Sequence, residues 1–116
     1  MPLFSWDEIP LEEMNPLVSR RVHHGAQMTV AQVFLKKGAV VPEHHHYHEQ
    51  TMMLRSGKLV FHMGGEDIVV EAGCFLSIAP DLPHSVTALE DSVAIDIFSP
   101  ARDDWQRGED AYLRQT

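Results

Sequence analysis

Basic residues are scarce in this chain: nine Lys and Arg stand against seventeen Asp and Glu, a formal net charge of −8. No basic run is longer than Arg20-Arg21 or Lys36-Lys37, so the sequence lacks the footprint of a nucleic-acid or anionic-membrane surface. The partner it leaves room for is a small molecule. Cysteine is nearly absent. Cys74 alone cannot form an internal disulfide, which fits a reducing compartment, and with no activating neighbour it is expected to fill a core position. No apolar stretch approaches membrane-spanning length, and the opening MPLFSWDEIPLEE has neither the basic start nor the apolar run of a secretory signal, so a cytoplasmic location is expected. Helix-length periodicity is also missing, which excludes a helical bundle or an α/β sheet.

What the chain does contain is short β-prone runs separated by turn residues. Its 116 residues suit one domain with a core of its own. Strands are expected near 17–23, 28–35, 39–43, 50–55, 58–63, 67–71, 74–78, 84–89 and 92–98, with Gly64-Gly65 as a hairpin turn. That pattern predicts an all-β barrel or jelly roll over about 17–99, flanked by arms at 1–16 and 100–116. The first arm carries a possible capping box, Ser5-x-x-Glu8, worth one helical turn. The second is polar apart from Trp105, Tyr112 and Leu113, and is expected to dock on the barrel or on a partner subunit. His62 alternates with Leu59, Phe61 and Met63 and is read as a surface residue; His23 and His24, beside Gly25, are read as a solvated turn.

The densest chemistry lies in Gly38–Gly57, GAVVPEHHHYHEQTMMLRSG, where His44, His45, His46, His48 and Gln50 fall within seven residues. Histidines two apart on an extended chain share a face, so His44 and His46 can reach one ion while His45 points away. His48 and Gln50 have the same parity if the strand runs straight, and only some of these side chains can bind one ion. Glu49 could take part only through a bulge. One strand does not hold an ion rigidly, and downstream the glycine turn at Gly73, an apolar strand and a Pro-rich turn deliver His84 to the start of another strand, either as a ligand or as an ordinary histidine. Asp96 interrupts the apolar run Val93–Phe98 and shares a face with Ala94 and Phe98. A carboxylate there is costly unless it is paired or working. Arg102 is a candidate partner or a clamp for a substrate carboxylate, whereas an edge strand with Asp96 outward and Arg102 in a surface ion pair is the bland alternative.

These two segments together resemble the cupin superfamily. Its first motif, G-x5-H-x-H-x3/4-E-x6-G, is matched by Gly38, His44, His46 and Gly57, with Gln50 where glutamate is usual. Its second, G-x5-P-x-G-x2-H-x3-N, is matched by Gly73 and His84, while Ala79, Asp81 and Ala88 replace proline, glycine and asparagine. The resemblance covers about Val30 to Phe98 and implies a jelly-roll β-barrel holding one divalent metal ion (Ni, Zn, Fe, Mn or Co) through His44, His46, Gln50 and His84. The other reading of Gln50 is a hydrogen bond to a ligating histidine, and His45 and His48 are then non-ligands, either exposed or lining the mouth. Three imidazoles and a neutral amide would leave such an ion its full charge, suiting it to Lewis-acid work.

A narrower resemblance runs through Pro42–Gln50 and Ala88–Trp105, ALEDSVAIDIFSPARDDW, to the pectin-degradation (KdgF-type) cupins. It implies conversion of C4–C5 unsaturated monouronates to open-chain keto-uronates, with Asp96, Phe98 and Arg102 as the functional residues beside the metal; barrels of this kind often pair as homodimers. Glu43 and His45 depart from the family pattern around the first two ligands but keep their spacing. The other readings carried forward are a cupin dioxygenase and a non-catalytic cupin that senses a sugar acid or a metal.

Overall fold

The computed structural model describes residues 2–115. After a 3-10 turn, Trp6–Glu8, come ten strands: β1 (Glu12–Asn15), β2 (Val18–His24), β3 (Thr29–Leu35), β4 (Val40–His44), β5 (Glu49–Ser56), β6 (Lys58–Met63), β7 (Glu66–Glu71), β8 (Phe75–Ile78), β9 (His84–Ala88) and β10 (Ser92–Ser99). A four-residue helix, α1 (Asp103–Gln106), and a 3-10 turn, Ala111–Arg114, complete the chain. All pairings are antiparallel, in one sheet ordered β1-β2-β3-β10-β5-β8 and another ordered β4-β9-β6-β7. Two antiparallel sheets closing over one interior make the jelly-roll barrel that the strand spacing predicts.

Alternation along the strands fills that interior. Met52 and Leu54 of β5, Leu59 and Phe61 of β6, Val86 and Ala88 of β9 and Ala94 of β10 all point inward and are buried. The same faces end in polar groups: Gln50 precedes Met52, His84 precedes Val86, and Asp96 follows Ala94. The period of two thus builds an apolar floor and a polar site from the same strands.

Four expectations are corrected. The segment read as an arm contains β1, which pairs with β2 through an Asn15 turn in which the Leu17 N–H donates to Asn15 Oδ1 at 2.8 Å. The strand is only Glu-Glu-Met-Asn, too short and acidic to register as one. His23 and His24 lie within β2, because the hairpin turn begins one step later, where the Gly25 N–H donates to Met28 O at 2.7 Å. Ser5 makes no capping bond, so the turn at Trp6–Glu8 forms without a capping box. Cys74 is exposed rather than buried, since it leads into the edge strand β8.

A turn conformation accounts for one departure from the family pattern. Asp81, standing where the second motif has glycine, has φ 63° and is the one non-glycine residue with positive φ among those described. Aspartate is among the few side chains that tolerate this region. Gly64 and Gly65 take φ 59° and 75° at the β6–β7 hairpin, as a mirror-image turn requires. Gly57 has φ 89°, and a Cβ there would collide with Ser92 Oγ and the Asp91 carbonyl. Gly57→Ala is therefore expected to cost about 3 kcal/mol or more in stability, seen as a fall in the urea midpoint at unchanged slope. A loss under about 1 kcal/mol would show that the turn can relax.

The C-terminal arm folds back on its own barrel. Trp105 is buried, Arg20 pairs with Asp110 at 2.5 Å, and Asn15 Nδ2 donates to the carbonyls of Leu113 and Gln115 at 3.1 and 2.9 Å. No helix among the described residues is long and apolar enough to cross a membrane.

Candidate metal centre

His44 and His84 face each other across the β4–β9 pair. Strict alternation from the buried Val41 would turn His44 outward, but the register shifts between Val41 and His44, and this irregularity at Pro42-Glu43 re-aims the side chain. His46 lies in the bend between β4 and β5 and turns inward. One ring nitrogen from each of His44, His46 and His84 lies within 4.8 Å of the others.

The hydrogen bonds identify which nitrogen each ring offers. Nδ1 of His44 donates to Pro42 O at 2.8 Å, Nδ1 of His46 to His48 O at 3.1 Å, and Nδ1 of His84 to Leu82 O at 2.7 Å. A carbonyl can only accept, so the network places each proton on Nδ1 and leaves each Nε2 with a bare lone pair. For His84 that Nε2 is buried with no partner. Three convergent lone pairs, one of them orphaned, are the donor set of a cation site. Burial pushes the imidazole pKa values down, His44 to about 4, His46 to about 3, and His84 in the same direction, so all three are neutral near pH 7.

Gln50 completes the set. Its Nε2 donates to Asp96 Oδ1 at 3.0 Å, which fixes the amide and turns Oε1 to within 3.2 Å of His46 Nε2. With the His46 proton on Nδ1, both of these atoms are acceptors and no hydrogen bond joins them. Two acceptors held this close are reconciled by a cation between them, which favours the ligand reading of Gln50 over a hydrogen bond to His46. A divalent ion therefore fits His44, His46, His84 and Gln50.

Asp96 is not on an edge strand. β10 lies between β3 and β5, with Asp96 opposite Ala31 and Met52, and its carboxyl lines the lumen cavity beside Gln50 and His84. Burial raises its pKa to about 6, against the opposing pull of the Gln50 amide and the Arg102 charge. Phe98 is buried, edge-on to His46 at 5.8 Å. Arg102 is fully enclosed, with its guanidinium carbon 4.6 Å from the Phe98 ring centre and 4.2 Å from that of Trp105. Of its two candidate roles, the pairing with Asp96 gives way to another partner. The start of α1 brings Asp104 alongside, and Nε and Nη2 of Arg102 donate to its two oxygens at 3.0 and 2.8 Å.

The remaining histidines stay out of the ligand set. His45 is exposed, 3.9 Å from Asp81, and Glu49 is exposed opposite Ser99. His62 bonds Asp67 at 2.6 Å on the surface, as its parity predicts. His48, expected in solvent or at the mouth, is instead buried, because the arm covers it and its Nε2 meets Asp103 Oδ1 at 3.1 Å. His48, Asp103 and Asp104 are close enough to hold a second ion, but Arg107 already neutralises Asp103 and Arg102 neutralises Asp104. Sequence reasoning missed Asp104 and Tyr112. Isolated aromatics in the polar tail, Trp105 and Tyr112, were the one available signal.

Comparison with known proteins gives a consistent picture. The sequence profile of the cupin domain family matches residues 31–98. The chain is 30% identical over 102 residues to the pectin degradation protein KdgF of Dickeya dadantii, spanning 85% of this chain and 93% of that protein. The structure of KdgF from Halomonas sp. superposes with a TM-score of 0.82 at 30% identity, covering 89% of this chain and 98% of the other. An RmlC-like cupin from Shewanella frigidimarina shares the fold at a TM-score of 0.84 and 23% identity, over 90% of this chain and 96% of that one.

Proposed function

This chain belongs to the cupin domain family, and we propose that it is a metal-dependent enzyme opening the ring of C4–C5 unsaturated monouronates from pectin or alginate breakdown. The observation carrying this reading is Asp96, a carboxyl with its pKa raised to about 6, hydrogen-bonded to the one neutral amide in a three-histidine donor set. The likeness to KdgF from two bacteria supports the substrate class.

The substrate is a cyclic enol ether and, at C1, a hemiacetal. Opening removes the C1 hydroxyl proton, breaks the bond from C1 to the ring oxygen, forms an aldehyde at C1 and leaves an enolate on the former ring oxygen. Protonation at C4 then gives the keto-uronate. A divalent ion held by Nε2 of His44, His46 and His84 and Oε1 of Gln50 would supply Lewis-acid stabilisation of the negative charge that develops. Asp96 accepts the proton from the C1 hydroxyl and returns it to C4, a shuttle suited to a carboxyl with a pKa near 6. Phe98 and Trp105 wall off water, and Arg102, its charge paired with Asp104, offers its remaining N–H groups to the substrate carboxylate.

Incubating metal-loaded protein with a lyase-generated unsaturated monouronate should speed the loss of absorbance from the conjugated double bond well above the buffer rate. Equal rates with and without protein would remove the proposal. Oxygen uptake coupled to turnover would point to the dioxygenase reading instead, and binding without turnover to a sensor.

A further inference from the structure

We propose that Tyr112, on the C-terminal arm, is a substrate-binding residue whose hydroxyl donates to the carboxylate of a uronate beside Arg102; the identity of that guest rests on the function proposed above. The ring of Tyr112 stacks on His44 with centroids 4.3 Å apart and planes 25° apart, so the arm reaches the metal site directly. Tyr112 lines the same cavity as Asp96, Gln50 and Arg102.

The hydrogen-bond count at its oxygen is informative. Arg102 Nη2 donates to it at 3.0 Å and Trp105 Nε1 at 3.2 Å. Guanidinium and indole N–H groups have no acceptor capacity, so both contacts use phenol lone pairs and leave the phenol proton unspent. No carbonyl or carboxylate among the described residues accepts it. Near the metal site, the proton therefore awaits an acceptor on a guest.

Arg102 needs such help. Asp104 takes the Nε and Nη2 edge of the guanidinium, so a bidentate grip on a second carboxylate through that edge is closed. The pair with Asp104 is also nearly neutral as a unit, which weakens its pull on an incoming anion. Nη1 has no hydrogen-bond partner among the described residues. One N–H from Nη1 and one O–H from Tyr112 supply two donors from adjacent groups, the number a carboxylate can use at one edge. The aromatic stack and the two incoming hydrogen bonds hold the phenol in place before the guest arrives.

Tyr112→Phe keeps the ring, the stack and the barrel, and removes only the hydroxyl. In full-length, metal-loaded protein, KM for the unsaturated monouronate is expected to rise about 10-fold or more, the effect of losing a hydrogen bond to a charged group. kcat and bound metal should stay close to the parent values, while the two donors that lose their acceptor, Arg102 Nη2 and Trp105 Nε1, should lower the melting temperature by a few degrees without unfolding the arm. Calorimetric titration with D-galacturonate, a saturated monouronate, should show the same weakening, and D-galactose, which lacks the carboxylate, should be indifferent to the substitution. A KM and a galacturonate affinity within twofold of the parent would overturn the role of Tyr112 while leaving ring opening intact. Absence of turnover in the parent, with galacturonate binding still weakened by the substitution, would overturn ring opening and uphold Tyr112. A parent protein that neither binds nor turns over a uronate would overturn both.

Discussion

Asp96→Asn should lower kcat/KM for the unsaturated monouronate by about 100- to 10,000-fold, the range for losing a positioned general acid–base group. The substitution is nearly isosteric, and an asparagine oxygen can still accept from Gln50 Nε2, so the metal site and fold should persist. Loss of rate with bound metal unchanged separates proton transfer from architecture. The same substitution should make the metal-free protein more stable at neutral pH. Burial raises the Asp96 pKa to about 6 from the ordinary 3.8, so the folded state holds this proton more tightly than the unfolded state does. Its contribution to stability is fully present below about pH 4 and is lost as pH rises to about 6. At pH 7 the ionised, enclosed carboxylate is therefore a liability of order 1–3 kcal/mol that asparagine removes. Denaturation of the metal-free proteins should show a gain at pH 7 that vanishes near pH 4. A variant with parental activity would sink the shuttle, and no stability gain would mean that Asp96 is better solvated than its surroundings imply.

Stripping the metal with a chelator should bring turnover down to the buffer rate, and adding back one equivalent of a divalent ion should restore it. His84→Ala should abolish that recovery, because it deletes the buried Nε2 that has no protein partner. An ion that binds the folded form alone adds stability, about 2.7 kcal/mol when free metal is a hundredfold above its Kd, so the loaded protein should melt higher. The depressed imidazole pKa values add a signature. Burial brings His44 to about 4 and His46 to about 3, below the ordinary 6.5, so protons compete with the metal only in that lower range. Equilibrium dialysis across pH should accordingly show the ion retained at pH 5.5. Release at pH 6 or above would mean that these rings are solvated. Full activity after exhaustive chelation would end the metal-dependent reading.

Much of the candidate site can be read along the chain because its parts are local. His44, His46 and Gln50 lie on one short segment, His84 follows a recognisable turn, and the β-period places Asp96 and Phe98 on one face. What escapes a linear reading depends on partners far away in sequence. His48 has the parity of a ligand, yet its ring bonds Asp103, 55 residues on. Arg102 looks free to meet Asp96 until a short helix brings Asp104 to its fork, and nothing in DDWQ announces that helix end. The four-residue β1 has one apolar side chain of consequence, Met14, so its existence follows from the neighbouring strand rather than from its own pattern. Asp81 is the opposite case, a departure from the family motif that the backbone accommodates at φ 63°.

The tie between Asn15 and the carbonyls of Leu113 and Gln115 also bears on the order of assembly. It closes spans of 98 and 100 residues, near the greatest separation the chain allows. Contacts that close long loops carry the largest entropic cost and gain most from intervening structure that has already paired. The histidines and Gln50 come from β4, the bend after it, β5 and β9, all inside the barrel, and can converge before the arm docks. Tyr112 and Asp104 arrive with the arm, so the candidate metal ligands belong to the early-forming part of the molecule and the proposed grip on a guest to its final closure.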